Sequence, residues 1–111
     1  MRVAFVGPLP PSPTGIADYD VDVLHALAGR HELAVFADQP SVDSARLPPD
    51  AVVRPVAELD SAAADAVVYQ MGNGPAHAFI HPWLARRPGL VVLHDLVLHH
   101  ARASMLIGSA A

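Results

Sequence analysis

The segment Gly89–His100, GLVVLHDLVLHH, decides the expected fold. Its residues 90–93 form a short, wholly apolar, valine-rich run, which is typical of a strand buried on both faces of a parallel sheet. The run ends at His94 and Asp95, and the spacing of the apolar residues that follow favours a helix. Asp95 could cap that helix or could line a ligand cleft with His94, because ligands bind at the carboxyl ends of strands in open α/β sheets.

The rest of the chain repeats this pattern of short apolar runs separated by turns and helical segments. Strands are expected at residues 3–6, 32–37, 51–54, 66–70 and 90–93, and helices at 16–28, at 76–87 and after Asp95. Strands separated by helices favour parallel pairing with both faces of the sheet covered. We therefore expect one α/β domain over residues 1–111, a Rossmann-like open parallel sheet of about five strands with helices on both faces.

The residue types within the helices predict some local details. The core face of the first helix is expected to comprise Ile16, Tyr19, Val23, Leu24 and Leu27. The aspartates at positions 18, 20 and 22 are expected near the amino end, where the helix dipole favours negative charge. Gly29 is expected to close this helix as its C′ residue, and Pro82 is expected to kink or interrupt the second helix.

Composition argues against several classes of protein. The chain has no cysteine, so a disulfide framework or a thiolate metal site is not expected. A net charge of −4 without a basic cluster argues against a nucleic-acid partner. No apolar run reaches the ~20 residues that a membrane span needs, and the first residues lead straight into a strand. A cytoplasmic location is therefore expected.

Three turns are expected to meet at one edge of the sheet because the carboxyl ends of parallel strands share an edge. The first runs from Gly7 to Gly15, and its last glycine, with Ile16, offers backbone amides at a helix start, which suits phosphate. The second runs from residue 70 to residue 75 and offers the Asn73 amide, with His77 close behind. The third is His94–Asp95, whose imidazole can carry a proton near neutrality.

Each of these features also has a purely structural interpretation. The first turn matches neither of the glycine-rich nucleotide motifs, GxGxxG and GxxxxGK[ST]. Asn73 and Gly74 could simply form a turn. His77 and His81 have the four-residue spacing of metal ligands, but no glutamate lies between them and no third ligand is evident. No metal is therefore expected.

Three blocks of sequence together carry a family resemblance. They are VAFVGPLPPSPTGIADY at residues 3–19, VVYQMGNGPAHAFI at 67–80 and PGLVVLHDLVLHH at 88–100. In this order they resemble the amino-terminal domain of GT-B fold glycosyltransferases, closest to the family-4 group of retaining, nucleotide-sugar-dependent enzymes. The resemblance covers nearly all of the chain.

The resemblance implies a domain that mainly holds the acceptor and faces a second domain, which holds most of the nucleotide-sugar donor. Gly15 matches the glycine of the loop that approaches the donor diphosphate and the acceptor. His94 matches the histidine that contacts the transferred sugar and is the expected catalytic residue. The expected substrate-binding residues are Gly15, Ile16, Tyr19, Gly72, Asn73, His77 and Asp95. The nucleotide sugar is a co-substrate, no cofactor or metal is expected, and a lipid acceptor would imply peripheral membrane contact.

The donor domain has no counterpart in these 111 residues. The chain is therefore expected to be a fragment, one half of a GT-B fold, that transfers no sugar in isolation. The alternative is a stand-alone Rossmann-like module that binds a nucleotide or metabolite at the same edge. A flavodoxin-like or receiver domain would fit the strand count, but Gly7–Pro8 stands where a receiver has an acidic pair.

Overall fold

A computed structural model describes residues 1–72 and 75–93, which form a five-stranded sheet with helices. The strands are β1 (Arg2–Val6), β2 (Glu32–Ala37), β3 (Val52–Pro55), β4 (Ala66–Met71) and β5 (Leu90–Leu93), and the α-helices are α1 (Gly15–Ala28) and α2 (Ile80–Arg86). Short 3-10 helices span Ser44–Arg46, Val56–Ser61 and Pro75–His77. All neighbouring strands pair in parallel, which confirms the predicted Rossmann-like open sheet.

The strand order β3-β2-β1-β4-β5 fixes where a ligand crevice can form. From β1 the chain moves outward through β2 to β3, then returns to the other side of β1 for β4 and β5. β1 and β4 pair from Val3↔Ala66 to Val6↔Tyr69. The connections leave these two strands in opposite directions, so their carboxyl ends form the topological switch point of the sheet.

The two faces of the sheet carry separate hydrophobic clusters, because successive strand residues point to opposite sides. The cluster on the α1 face comprises Val3, Phe5, Leu9, Val21, Leu24, Leu33, Val35, Ala37 and Leu47. The cluster on the α2 face comprises Ala4, Val6, Phe36, Val56, Leu59, Ala62, Val67, Tyr69, Met71 and Ile80. The prediction of helices on both faces is thus confirmed.

α1 presents a different face to the core from the one predicted. Its buried residues are Ala17, Asp20, Val21 and Leu24. Tyr19, predicted to lie in the core, is 48% exposed, and the other predicted core residues of α1 except Leu24 are only half-buried. The buried set follows i, i+3, i+4, i+7 spacing from Ala17, so a small alanine rather than the aromatic residue defines the stripe. Gly29 is the C-cap with φ −75°, not a left-handed C′ residue.

The helix predicted over residues 76–87, with a kink or break at Pro82, is shorter than predicted and its interruption lies before Ile80 rather than at Pro82. A 3-10 helix, Pro75–His77, precedes α2, which begins only at Ile80. Pro82 is the third residue of α2, where an amide would have no intrahelical acceptor, so the proline costs the helix nothing there. At the other end of α2, the Tyr69 hydroxyl donates a hydrogen bond to the Arg87 carbonyl.

β5 is less buried than its apolar sequence predicts. Leu90 is 65% exposed and Leu93 is 45% exposed. Within the described part of the chain β5 pairs with β4 only and is the outermost strand on that side, so it has one neighbour instead of two. The helix expected after Asp95 lies outside the described residues. None of the helices within the described ranges is long and apolar enough to cross a membrane.

Candidate functional site

Two of the three predicted turns meet at the switch point. A Cβ added to Gly7, just after β1, would lie 3.1 Å from the Cβ of Gln70 in β4. A Cβ added to Gly72, just after β4, would lie 2.5 Å from Ile16 Cδ1 and 2.8 Å from His77 Nε2. These five residues, together with Asp20 described below, are here named the switch-point crevice.

Gly72 and Gly15 have opposite surroundings. Gly72 is buried, and any side chain there would collide with α1 and the 3-10 helix, so a glycine is needed for their close approach. Gly15 is exposed, and a Cβ added to it would meet no atom within 4 Å. The space beside Gly15 is therefore available to a ligand without any rearrangement of the described residues.

The start of α1 offers fewer amides to an anion than its sequence suggests. The Thr14 side chain caps the helix by accepting a hydrogen bond from the Ile16 N–H at 3.2 Å. The Ala17 N–H donates to the Thr14 carbonyl at 3.1 Å. Of the two amides expected to face phosphate, only that of Gly15 is left unused by the described hydrogen bonds.

His77 lies in the crevice with a defined tautomer. The ring is 1% exposed, and its Nδ1 lies 3.0 Å from the Gln70 carbonyl oxygen. A carbonyl oxygen only accepts, so in the neutral ring Nδ1 carries the proton and Nε2 is a hydrogen-bond acceptor. The side of the ring that bears Nε2 faces Gly72 and Ile16. The acceptor nitrogen of His77 therefore lies beside Gly72, at the edge of the sheet.

Asp20 is the crevice residue that sequence reasoning missed. Its side chain is fully buried, and neither carboxyl oxygen has a hydrogen-bond partner within residues 1–72 and 75–93. Its Oδ2 would lie 2.9 Å from a Cβ added to Gly7. Burial raises the pKa of the Asp20 carboxyl from 3.8 to about 8, so the group holds its proton at neutral pH. The available signal was its place in the i, i+3, i+4, i+7 stripe of buried α1 residues.

The proline-rich loop above the crevice is held by Gln39, which the sequence analysis also missed. The Gln39 side chain accepts the Leu9 N–H at 3.1 Å and donates to the Leu9 and Ser41 carbonyls, both at 2.8 Å. The Asp43 N–H donates to the Pro10 carbonyl at 2.7 Å. Leu9 and Pro10 are buried, so this part of the loop has a fixed path into α1.

The crevice carries no basic side chain other than its histidine. The six residues that define it include neither lysine nor arginine. Arg46, beside α1, is paired with Asp18 at 3.0 Å. In the described part of the chain no group of three or more histidine, aspartate or glutamate side chains is arranged to hold a metal ion.

The remaining predicted site residues stand as follows. Tyr19 lies on the exposed side of α1, three residues after Ile16. Asn73, His94 and Asp95 lie outside the described residues, so their roles stay predictions. The structure thus brings Ile16, Gly72 and His77 together, with Gly15 at the start of the same helix.

No protein-family model, curated protein or solved structure matches the chain. What can be said of its class therefore comes from the sheet and the crevice. They define a Rossmann-like α/β domain whose switch point holds a histidine acceptor nitrogen, a protonated carboxyl and an open helix start. This arrangement can bind a polar ligand through hydrogen bonds.

Proposed function

We propose that this chain is the acceptor-side domain of a retaining glycosyltransferase that uses a nucleotide sugar as its donor. One observation carries the proposal furthest, which is the contact of Gly72 with Ile16 and His77. It joins residues 3–19 and 67–80, two of the three blocks on which the resemblance depends, at the edge where open α/β sheets bind ligands. The third block, residues 88–100, contains β5, the neighbour of β4 in the sheet.

Each proposed residue has a distinct task. Gly15 lets a ligand approach the start of α1, because no atom of the described residues lies within 4 Å of a Cβ added there. His77 accepts a hydrogen bond from a ligand hydroxyl through Nε2. His94 contacts the transferred sugar, and Asn73 and Asp95 bind substrate beside it. Tyr19 extends the binding surface along the exposed side of α1.

The donor half of the reaction lies outside these 111 residues in this proposal. A second domain holds the nucleotide sugar, and the acceptor oxygen replaces the nucleoside diphosphate at the anomeric carbon with retention. Amides and helix dipoles aimed at the departing diphosphate would stabilise its developing charge. The 111-residue chain alone is therefore expected to transfer no sugar. A cytoplasmic location belongs to the proposal, as does peripheral membrane contact if the acceptor is a lipid.

The test is sugar transfer by the complete polypeptide that contains this chain. Release of nucleoside diphosphate would be measured with a panel of nucleotide sugars and acceptors. Gly15→Ala should reduce transfer while leaving the thermal midpoint unchanged, because the added methyl meets no atom of residues 1–72 and 75–93. Gly29→Ala is the matched control, since it adds a methyl to equally open space at the other end of α1 and should not affect transfer.

Several outcomes would count against the proposal. Absence of transfer from every nucleotide sugar would reject the activity, and equal transfer by Gly15→Ala and wild type would reject the role of Gly15. His94→Ala should reduce turnover without changing the fold, and unchanged turnover would reject its catalytic role. Tight binding of a nucleotide or metabolite by the 111 residues alone, without transfer, would favour a stand-alone binding module.

A further inference from the structure

The Asp20 carboxyl is a buried polar group without a partner at the switch point. Both oxygens lack a hydrogen bond from any described residue, although the side chain is fully buried. Native structures satisfy the large majority of such atoms, and an orphaned one calls for a specific explanation. Within the crevice, Asp20 lies beside Gly7 and Gln70, where β1 and β4 end. A ligand bound at that edge is the partner that its position suggests.

We propose that Asp20 binds ligand hydroxyl groups, and that the crevice takes a neutral, hydroxyl-rich acceptor such as a sugar or polyol rather than a phosphorylated one. This inference rests on the proposed function and specifies its substrate class. A protonated carboxyl donates one hydrogen bond and accepts others, which matches hydroxyls because they also donate and accept. Gln70 and His77 are the other polar side chains buried at this edge of the sheet within the described residues of the crevice.

The described charges disfavour a phosphate at this place. The crevice has no lysine or arginine. Arg46 is already paired with Asp18, and the Ile16 amide is taken by the Thr14 cap. A phosphate dianion would therefore find few hydrogen-bond donors and no lysine or arginine there, whereas neutral hydroxyls can pair with a protonated carboxyl and need no cation.

The absence of a side chain at Gly7 leaves the Asp20 carboxyl uncovered on its Gly7 side, although the carboxyl is buried. A methyl group there would stand 2.9 Å from Asp20 Oδ2 and would cover it. Both oxygens are buried, so a hydroxyl reaches them only when the residues packed around the carboxyl move apart. The hydroxyl oxygen would then lie about 3 Å from the carboxyl oxygen that it contacts, the length of one hydrogen bond.

Ligand-observed NMR on the full 111-residue chain tests the assignment. The probes are myo-inositol and three methyl hexosides, which are neutral, and inorganic phosphate, which is anionic. We expect at least one neutral probe to bind more tightly than phosphate. Asp20→Leu removes the hydrogen bonds but keeps an apolar core, so affinity for that probe should fall about tenfold. Asp22→Leu, at an exposed position of the same helix, should bind like wild type.

A second measurement does not depend on the folding of Asp20→Leu. Infrared difference spectra should show the C=O stretch of the protonated Asp20 carboxyl shifting when the neutral probe is added, and this band should be missing in Asp20→Asn. Tighter binding of phosphate, no binding of any neutral probe by wild type, an unshifted band, or wild-type affinity in a folded Asp20→Leu would each overturn the inference. None of these results depends on sugar transfer, which the complete polypeptide tests separately.

Discussion

Replacement of Asp20 by asparagine should stabilise the chain, and the gain should grow as the pH rises. The folded protein keeps the Asp20 proton up to a pKa of about 8, whereas the unfolded chain releases it near the ordinary value of 3.8. Between these values the unfolded state binds fewer protons than the folded state, so the free energy of unfolding falls as the pH increases. Asparagine has nearly the same shape and no proton to lose, so its stability lacks this slope.

The size of the effect follows from the two pKa values. The distance from 3.8 to pH 7 is about three pH units, and each is worth ~1.4 kcal/mol. The wild-type penalty at pH 7 is therefore on the order of 4 kcal/mol relative to strongly acidic solution. It reaches its full value near pH 8 and changes little above that, because both states have then lost the proton.

Urea unfolding followed by the fluorescence of Trp83, the single tryptophan, measures this difference between pH 3 and pH 9. The free-energy difference between Asp20→Asn and wild type should widen steadily from pH 4 to pH 8. Asp22→Asn, at an exposed position of α1, is the control and should follow the wild-type curve. A difference that is independent of pH, or that widens toward acid, would refute the assignment of Asp20 as a buried, protonated carboxyl.

Three further substitutions test the packing around the site and the sheet. Gly89→Ala should destabilise by ~1–3 kcal/mol in thermal unfolding, because the new methyl would lie 2.4 Å from a backbone oxygen of β4, whereas Gly29→Ala should be neutral or slightly stabilising. Gln39→Ala should lower the free energy of unfolding by ~1–3 kcal/mol and speed hydrogen exchange at the Leu9 amide, because the two hydrogen bonds between Gln39 and Leu9 are lost. Unchanged exchange at Leu9 would show that Gln39 does not hold the loop. Tyr69→Phe should cost ~1 kcal/mol through the lost hydrogen bond to the end of α2, and equal midpoints would show that bond to be unimportant.

The strands were predictable because their apolar runs are short and are bounded by glycine, proline or charged residues. β2 and β5 were predicted residue for residue, and the other three strands to within one residue at each end. Parallel pairing followed from the alternation with helical segments. The exposure of β5 could not be predicted from the sequence, because a run of leucine and valine does not reveal whether a strand has one neighbour or two.

The helices were predicted less well for identifiable reasons. The segment after Gly74 has apolar residues at helical spacing, but the chain makes one 3-10 turn before α2 begins. Periodicity does not distinguish these two local structures over so few residues. In α1 the large side chain of Tyr19 suggested the wrong face, while the small Ala17 marks the buried one.

The candidate site was predictable in its location and not in its full chemistry. Parallel strands bring their carboxyl ends to one edge, so the sequence alone predicts that Ile16, Gly72 and His77 lie in one region. Asp20 was assigned to the helix dipole, because aspartate near a helix start is usually exposed there. The hydrogen bonds between Gln39 and Leu9 join residues 30 positions apart, and the local sequence carries no signal for such a contact.

Side chains along β1 point alternately to the two faces of the sheet, so this strand separates the two hydrophobic clusters and contributes to both. Neighbours along this strand, such as Ala4 and Phe5, belong to different hydrophobic clusters. Two substitutions that open cavities on opposite faces should therefore change the free energy of unfolding additively. Additivity fails mainly for side chains that touch or share partners. Either cluster could accordingly be redesigned, or could accumulate substitutions during evolution, without compensating changes in the other.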